Sequence, residues 1–318
     1  MKKQHSNTRL LCQLSAVAAL VLSGNAMADE AFSADSKWMT GDWGGERTKL
    51  IEQGIDIKAD YVGEMGANLH GGYNDDKTGR YSDQFGLGVA FDLQKLLGWD
   101  NTQAKIQLTN RNGQNISNDR IGDPRAGTLS SSQEVYGRGH MVRLTQLWVQ
   151  HQFLDGKLDV KAGYFGEGED FNTFPCDFQN LAFCGSQVGN WATGIWYNWP
   201  VSQAALRIKY NITPELYAQI GAYNQNPSQL EHGNGFKLSG SGTKGTVLPV
   251  ELVWSPKLNS LPGEYRVGYY KSTADANDVR KDVNGQDAAN TGDAYRVHNS
   301  KHGYWFVGQQ QLTTHNGD

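Results

Sequence analysis

Beyond its N-terminal segment, the 318-residue sequence contains no run of 18 or more apolar residues, which excludes a transmembrane helix there. Apolar residues make up only 38 % of the chain, whereas soluble domains usually reach roughly 45–50 % with glycine counted. Proline is scarce, at 8 residues, while glycine reaches 38 residues and aromatic residues 11 %. This composition fits either a soluble all-β protein or a water-filled β-barrel with a polar interior and a thin apolar outer band.

The first 28 residues have the features of a secretory signal peptide. Three basic residues precede an apolar stretch at 10–22, and the small residues at 26–28 fit a cleavage site. We therefore expect the mature chain to begin at Asp29. Removal of the signal leaves 26 basic residues against 33 acidic ones, a net charge near −7. Such a charge argues against a nucleic-acid partner.

Cysteine is nearly absent from the exported chain, which keeps only Cys176 and Cys184. Export leads to an oxidising compartment, so a disulfide that closes this short loop is expected. A metal site and free thiols are the alternatives. No second pair of cysteines or histidines lies nearby to complete a zinc site, and we expect neither a metal nor a cofactor.

After a lead-in and a short helix within 29–54, the sequence changes to a period of two, which is typical of strands with one apolar face. About ten such segments follow, many of them 9–13 residues long. Strands of soluble proteins are usually near five or six residues, whereas a tilted membrane strand needs roughly 9–11. Short turns also alternate with long polar connections, as in porins. The sequence thus predicts an all-β, antiparallel transmembrane β-barrel domain over residues 55–318.

Motifs for catalysis are weak or missing. The sequence has no G-x-S-x-G elbow and no H-E-x-x-H. The glycine pattern at 240–245 precedes a strand rather than the helix that nucleotide binding needs. Residues 163–171 are more suggestive, because a strand enters a loop with three carboxylates and aromatic rings. Carboxylates can accept hydrogen bonds from sugar hydroxyls. A glycosidase carboxylate pair and a solvated acidic loop are the alternatives.

Several segments resemble the OprB family of carbohydrate-selective porins. The N-terminal motif Gly-Asp-Trp-Gly-Gly-Glu-Arg at 41–47 carries the resemblance, together with segments 144–148, 153–158 and 163–171. The resemblance implies a sixteen-stranded barrel in the outer membrane of a Gram-negative bacterium, with one loop folded into the lumen. It also implies passage of glucose and other small sugars. Family members are longer, so the chain looks truncated at its C-terminus and the barrel incomplete.

We therefore predict a carbohydrate-selective porin that works by passive diffusion and is not an enzyme. An exported soluble β-rich sugar-binding protein and an outer-membrane barrel enzyme such as a lipase are the alternatives. Small sugars and outer-membrane lipids are the expected partners, and the pore is either a monomer or a homotrimer. The predicted constriction combines loop carboxylates, inward basic groups and stacking rings: Glu167, Glu169, Asp170, Lys105, Arg111, Arg207, Lys209, Phe165 and Phe171.

Overall fold

The computed structural model describes residues 31–34, 36–125, 130–192 and 194–314. The predicted signal peptide at 1–28 lies outside the described residues. In the described part, no helix is both long and apolar enough to cross a membrane. The chain divides into two units, residues 1–56 and 57–318, which are described separately.

The first unit is organised by the sequence motif at 41–47. A 3-10 turn at Trp43–Gly45 leads into a helix at Glu46–Glu52, close to the short helix that the sequence predicts. Gly45 has a φ of 92°, which favours glycine. The Arg47 guanidinium lies over the rings of Trp38, at 4.5 Å, and Trp43, at 5.2 Å. The motif therefore builds a cation–π cluster around one buried arginine.

Strands dominate the rest of the described chain. Most run for ten residues or more, the length that the alternating segments predict. Their bounds are β1 Ile55–Asn68, β2 Thr78–Asp92, β3 Thr102–Gly113, β4 Met141–Phe153, β5 Leu158–Phe165, β6 Gln203–Thr213, β7 Leu216–Gln225, β8 Gly245–Trp254, β9 Lys257–Leu258, β10 Leu261–Ser272, β11 Ala276–Asp282, β12 Tyr295–His298 and β13 Lys301–Gln310.

The main sheet follows the chain order. Its strands run β1-β2-β3-β4-β5-β6-β7-β8-β10-β13, with β9 paired to β10, while β11 and β12 form a separate hairpin. Neighbouring strands pair antiparallel from β2 onward. The ten strands on this path correspond to the roughly ten segments that the sequence predicts. Helices are short and lie in the connections, at Leu93–Leu97, Val188–Trp191 and Ala288–Thr291.

The two faces of the sheet differ as the period of two requires. On β2 and β6 the apolar side chains of Phe85, Leu206 and Ile208 are exposed. The opposite face carries buried charged residues such as Arg111 and Arg207. In a soluble protein apolar side chains are mostly buried and charged ones mostly exposed, and this sheet has the reverse distribution. It is the arrangement of a barrel that faces lipid.

The loop at 166–202, here called the inward loop, lies against the polar face of the sheet. Trp199 Nε1 donates to Gln84 Oε1 on β2, at 2.8 Å. Backbone N–H of Asn172 donates to Glu251 Oε1 on β8, at 2.9 Å. Trp196 packs edge-on against Trp305 on β13, with 5.5 Å between ring centroids. Because one loop touches strands from β2 to β13, the sheet curls around it, as expected for a barrel wall with an inserted loop.

The inward loop is held internally as well. Cys176 and Cys184 form a disulfide, which confirms the sequence prediction. A buried cluster joins the loop to the sheet; it includes Phe165, Phe171, Val188, Trp196, Tyr223 and Trp305. The aromatic members meet edge to face, a favourable geometry for rings. The hydrophobic core of this unit therefore lies between the inward loop and the wall.

Glu167 begins the inward loop inside this core. Its side chain is fully buried, and Oε2 accepts a hydrogen bond from Tyr197 N, at 3.1 Å. Burial raises the pKa of Glu167 to about 8, although backbone N–H donors oppose the shift. The carboxyl is thus largely protonated at neutral pH, and ionisation opposes docking of the loop.

The pKa of Glu167 predicts a pH dependence. The folded-state pKa lies above the unfolded value, so the contribution of Glu167 to stability is greatest at low pH and is lost as pH rises from about 4.5 to about 8, by at most about 5 kcal/mol. We expect Glu167→Gln to remove this slope, because the amide cannot ionise. Denaturant unfolding at pH 5 and pH 8.5 measures it, with the exposed Glu231→Gln as control. An unchanged slope in Glu167→Gln would contradict the assignment.

The orientation of the wall predicts unequal losses of stability for substitutions at neighbouring residues of β4. Val149 is 46 % exposed on the outer face, whereas Gln150 points inward and donates to Asp159 Oδ2, at 2.7 Å. We expect Val149→Lys to cost about 2 kcal/mol in lipid, because the ammonium faces hydrocarbon. Gln150→Lys should cost less, since the new ammonium lies on the polar face, between Asp159 and Lys161, rather than in hydrocarbon. Unfolding in phospholipid vesicles compares the two variants, and equal losses would refute the orientation.

Candidate functional site

Two of the predicted loop carboxylates form a salt-bridge network with the wall. Lys161 Nζ lies 3.2 Å from Glu169 Oε2 and 2.9 Å from Asp170 Oδ2. Arg207 lies 3.7 Å from Asp170 through Nε, and its Nη1 lies 2.5 Å from Asp159 Oδ1. These side chains are at most 15 % exposed. The network fixes where the loop leaves β5 and places opposite charges side by side in the lumen.

A further carboxylate, Glu251 on β8, anchors the loop near its start, at Asn172. It accepts hydrogen bonds from Asn172 N, Gln219 Nε2 and Trp305 Nε1, at 2.8–2.9 Å. Arg266 Nη1 pairs with it at 3.1 Å. The sequence analysis missed this residue. The alternation of β8 could have revealed it, because a lone glutamate in an apolar strand must point to the polar face.

The other predicted residues are more dispersed. Lys105 is half-buried and has no ion pair within 4.0 Å among the described residues. Lys209 Nζ lies 5.2 Å from the ring centre of Tyr217. Phe165 and Phe171 are fully buried, so the stacking role that the sequence suggests does not fit them; they pack in the core instead. Full burial also removes Glu167 from direct contact with a solute.

Arg111 and Glu169 meet in a cavity of about 570 Å³ between the inward loop and the neighbouring loop at 130–140, here called the loop cavity. Its wall adds an arginine, a carboxylate and an indole that the sequence analysis did not identify: Arg138, Glu134 and Trp199. The volume suits a small organic ligand. The loop cavity therefore brings cations, anions and an aromatic face together in one space.

Gln84 holds two walls of the loop cavity in place. Its Oε1 accepts hydrogen bonds from Arg111 Nε and from Trp199 Nε1, both at 2.8 Å. One amide oxygen thus orients the guanidinium on β3 relative to the indole of the inward loop. Arg138 reaches the loop cavity from a tight turn between Gly137 and Gly139, where it adopts a φ of 57°. Left-handed backbone at a non-glycine residue often marks a functional position.

The three missed residues share one cause. Arg138, Glu134 and Trp199 lie in long connections without periodicity, so no strand pattern assigns them a direction. Only the folding of both loops over β2 and β3 brings them together. A Gly-Arg-Gly sequence at 137–139 was the sole local indication, because flanking glycines accompany tight turns.

Metal binding finds no support in the described residues. One group of potential ligands is close enough, namely Glu134, Cys176 and Cys184. Both sulfur atoms are used in the disulfide, so they cannot act as thiolate ligands. What the loop cavity offers is hydrogen bonding and ring contact.

Comparison with known proteins connects this architecture to a family. The model of the carbohydrate-selective porins of the OprB family matches residues 76–318. Porin B of Pseudomonas aeruginosa is 65 % identical over 319 residues, which cover 100 % of this chain and 70 % of Porin B. A putative porin of Acinetobacter baylyi, QuiX, is 44 % identical over 311 residues, covering 96 % of this chain and 68 % of that protein.

Solved structures agree. The high-pH structure of Pseudomonas putida OprB superposes with a TM-score of 0.89 at 68 % identity, covering 91 % of this chain and 69 % of that one. The low-pH structure of the same protein gives a TM-score of 0.56 at 41 % identity, with 90 % and 69 % coverage. The curled antiparallel sheet, its apolar outer face and its inward loop thus have a direct structural counterpart. The chain belongs to the OprB family of carbohydrate-selective porins of the Gram-negative outer membrane.

Proposed function

We propose that the loop cavity is where this porin contacts small sugars such as glucose during passive diffusion, without catalysis. The observation that carries the proposal is the meeting of Arg111, Arg138, Glu134, Glu169 and Trp199 around one cavity of about 570 Å³. A monosaccharide offers hydroxyl groups around its ring and apolar C–H surfaces on its faces. The loop cavity supplies partners for both kinds of surface.

For a sugar to pass, protein groups must replace the water molecules that are hydrogen-bonded to its hydroxyls. A sugar that enters a narrow passage loses hydrogen bonds from water to several hydroxyls, and each unreplaced bond costs free energy. Arginine N–H groups can donate to hydroxyl oxygens, and carboxylates can accept hydroxyl protons. Hydrogen bonds to charged groups are stronger than those between neutral groups. Arg138 suits this role, because among the described residues its guanidinium forms no ion pair within 4.0 Å.

Trp199 adds a stacking surface. Its indole is half-buried and is fixed through Nε1 by Gln84, so its ring is held ready for the C–H face of a sugar. In this proposal it takes the place of Phe165 and Phe171, which the core encloses. A rigid aromatic ring adds contact area at little entropic cost.

The salt-bridge network of Lys161, Glu169, Asp170 and Arg207 has a supporting part in this proposal. Its charges largely neutralise one another, so it sets the position of the inward loop and the width beside it. Lys105 and Lys209 face the same lumen and contribute to its field. Binding must remain weak, because a tightly held sugar would block the passage.

The proposal predicts that Arg138→Gln weakens glucose binding. Loss of a charged donor should raise the half-blocking concentration of glucose about tenfold, with little change in folding, because Arg138 is exposed. Sugar-induced block of ion current through the full-length porin in planar bilayers measures the effect. Arg125→Gln is the matched control, because Arg125 pairs with Asp123 away from the loop cavity.

Equal block in Arg138→Gln and wild type, with both proteins correctly folded, would place the sugar contacts elsewhere. Equal weakening in Arg138→Gln and Arg125→Gln would show an effect of overall charge rather than of the loop cavity. Liposome swelling with the same variants checks that altered block corresponds to altered sugar flux.

A further inference from the structure

A second, smaller cavity of about 280 Å³ adjoins the loop cavity. It is here called the arginine cavity. The two share Arg111, Arg138 and Tyr136. The arginine cavity adds one more arginine and two histidines: Arg143, His140 and His232. Among its described lining residues there is no aspartate or glutamate, whereas Glu134 and Glu169 both line the loop cavity.

The positive charges of this cavity lack acidic partners. Arg143 is only 4 % exposed, yet its guanidinium donates to backbone carbonyls: Nε to Arg138 O and Nη1 to Gln229 O, both at 2.8 Å. Within the described chain, no carboxylate lies within 4.0 Å of Arg111, Arg138 or Arg143. Buried charges are normally paired. Arg111 and Arg143 are both buried without a carboxylate beside them, and the exposed Arg138 adds a third cation to the same cavity, which favours a bound anion.

Donor groups remain available in the arginine cavity. Arg111 is 8 % exposed and uses Nε for Gln84 Oε1; no protein acceptor in the described chain engages its two Nη atoms. Arg138 forms no side-chain hydrogen bond there either. A guanidinium presents its Nη donors in a geometry that matches carboxylate and phosphate oxygens. The positions of these groups are fixed by β3, by β4 and by the turn at 137–139.

We propose that the arginine cavity binds the carboxylate or phosphate group of an acidic sugar, while the sugar ring occupies the loop cavity. The inference rests on the proposed function, because it extends the same binding region to a further substrate class. A neutral sugar offers the arginines only hydroxyl dipoles, whereas an ionised group offers full charge. An acidic sugar should therefore bind more tightly than its neutral counterpart.

The acidic residues line only one of the two cavities, which gives the proposal its geometry. In the loop cavity an anionic group would face Glu134 and Glu169 as well as Arg111 and Arg138, so repulsion offsets attraction. In the arginine cavity it would face three arginines and no carboxylate among the described lining residues. The two cavities together thus favour one orientation of the ligand, with the acidic end toward His232 and the ring toward Trp199.

Current block by glucose, glucuronate and glucose 6-phosphate, at constant KCl concentration, tests the proposal, because both acids keep the sugar ring. We expect glucuronate to block at about a fivefold lower concentration than glucose, because one charge-assisted contact is added. His232 is exposed and lines the arginine cavity but not the loop cavity. His232→Glu should therefore abolish the advantage of glucuronate, while glucose still blocks the current. His232→Gln, which keeps an N–H donor and adds no negative charge, should retain the advantage.

The outcomes separate this inference from the proposed function. Glucose block with no preference for the acid in wild type overturns the inference and leaves the proposed function standing. If none of the three ligands blocks the current, both the inference and the proposed function are overturned. A preference for the acid that survives His232→Glu shows a general positive field and overturns the assigned site. Stronger block by glucuronate than by glucose 6-phosphate identifies a carboxylate site, and the reverse order a phosphate site.

Discussion

Backbone hydrogen bonding in lipid is the constraint on which the rest of this structure depends. Each N–H and C=O group within hydrocarbon needs a protein partner, and long antiparallel strands supply one along their whole length. Because successive residues of such a strand point to opposite sides, an apolar outer face requires every second residue to point inward. The chain uses these inward positions for charged and amide side chains, including Arg111, Gln146, Arg207 and Glu251.

Those inward side chains make the inserted loop possible. A loop of more than thirty residues inside a polar lumen cannot rely on an apolar core alone. Two kinds of contact hold the inward loop in place. Rings around Tyr223 and Trp196 supply apolar packing. Glu251 and the Lys161–Asp170 pair supply charged contacts close to where the loop leaves β5. The loop is consequently positioned well enough to present specific side chains to a passing solute.

The sequence predicts the wall far better than the site. Strand length, face and order follow from local alternation, so ten strands and the inward direction of Arg111 and Arg207 could be predicted from the sequence. The disulfide followed from export and spacing. Burial of Glu167, Phe165 and Phe171 could not be foreseen, because it depends on how the loop folds back on β7 and β13. Arg138, Glu134 and Trp199 were missed for the same reason: their proximity is set by two loops that contact each other only in the folded chain.

Gln84 has a consequence for how selectivity can change during evolution. Its single amide oxygen holds both the Arg111 guanidinium and the Trp199 indole, so the charge recognition and ring stacking that we propose share one support. A substitution at this position would move both recognition elements at once. New sugar preferences are therefore more accessible through Arg138 or the turn that carries it, where one contact can vary alone, than through the rigid pair supported by β2.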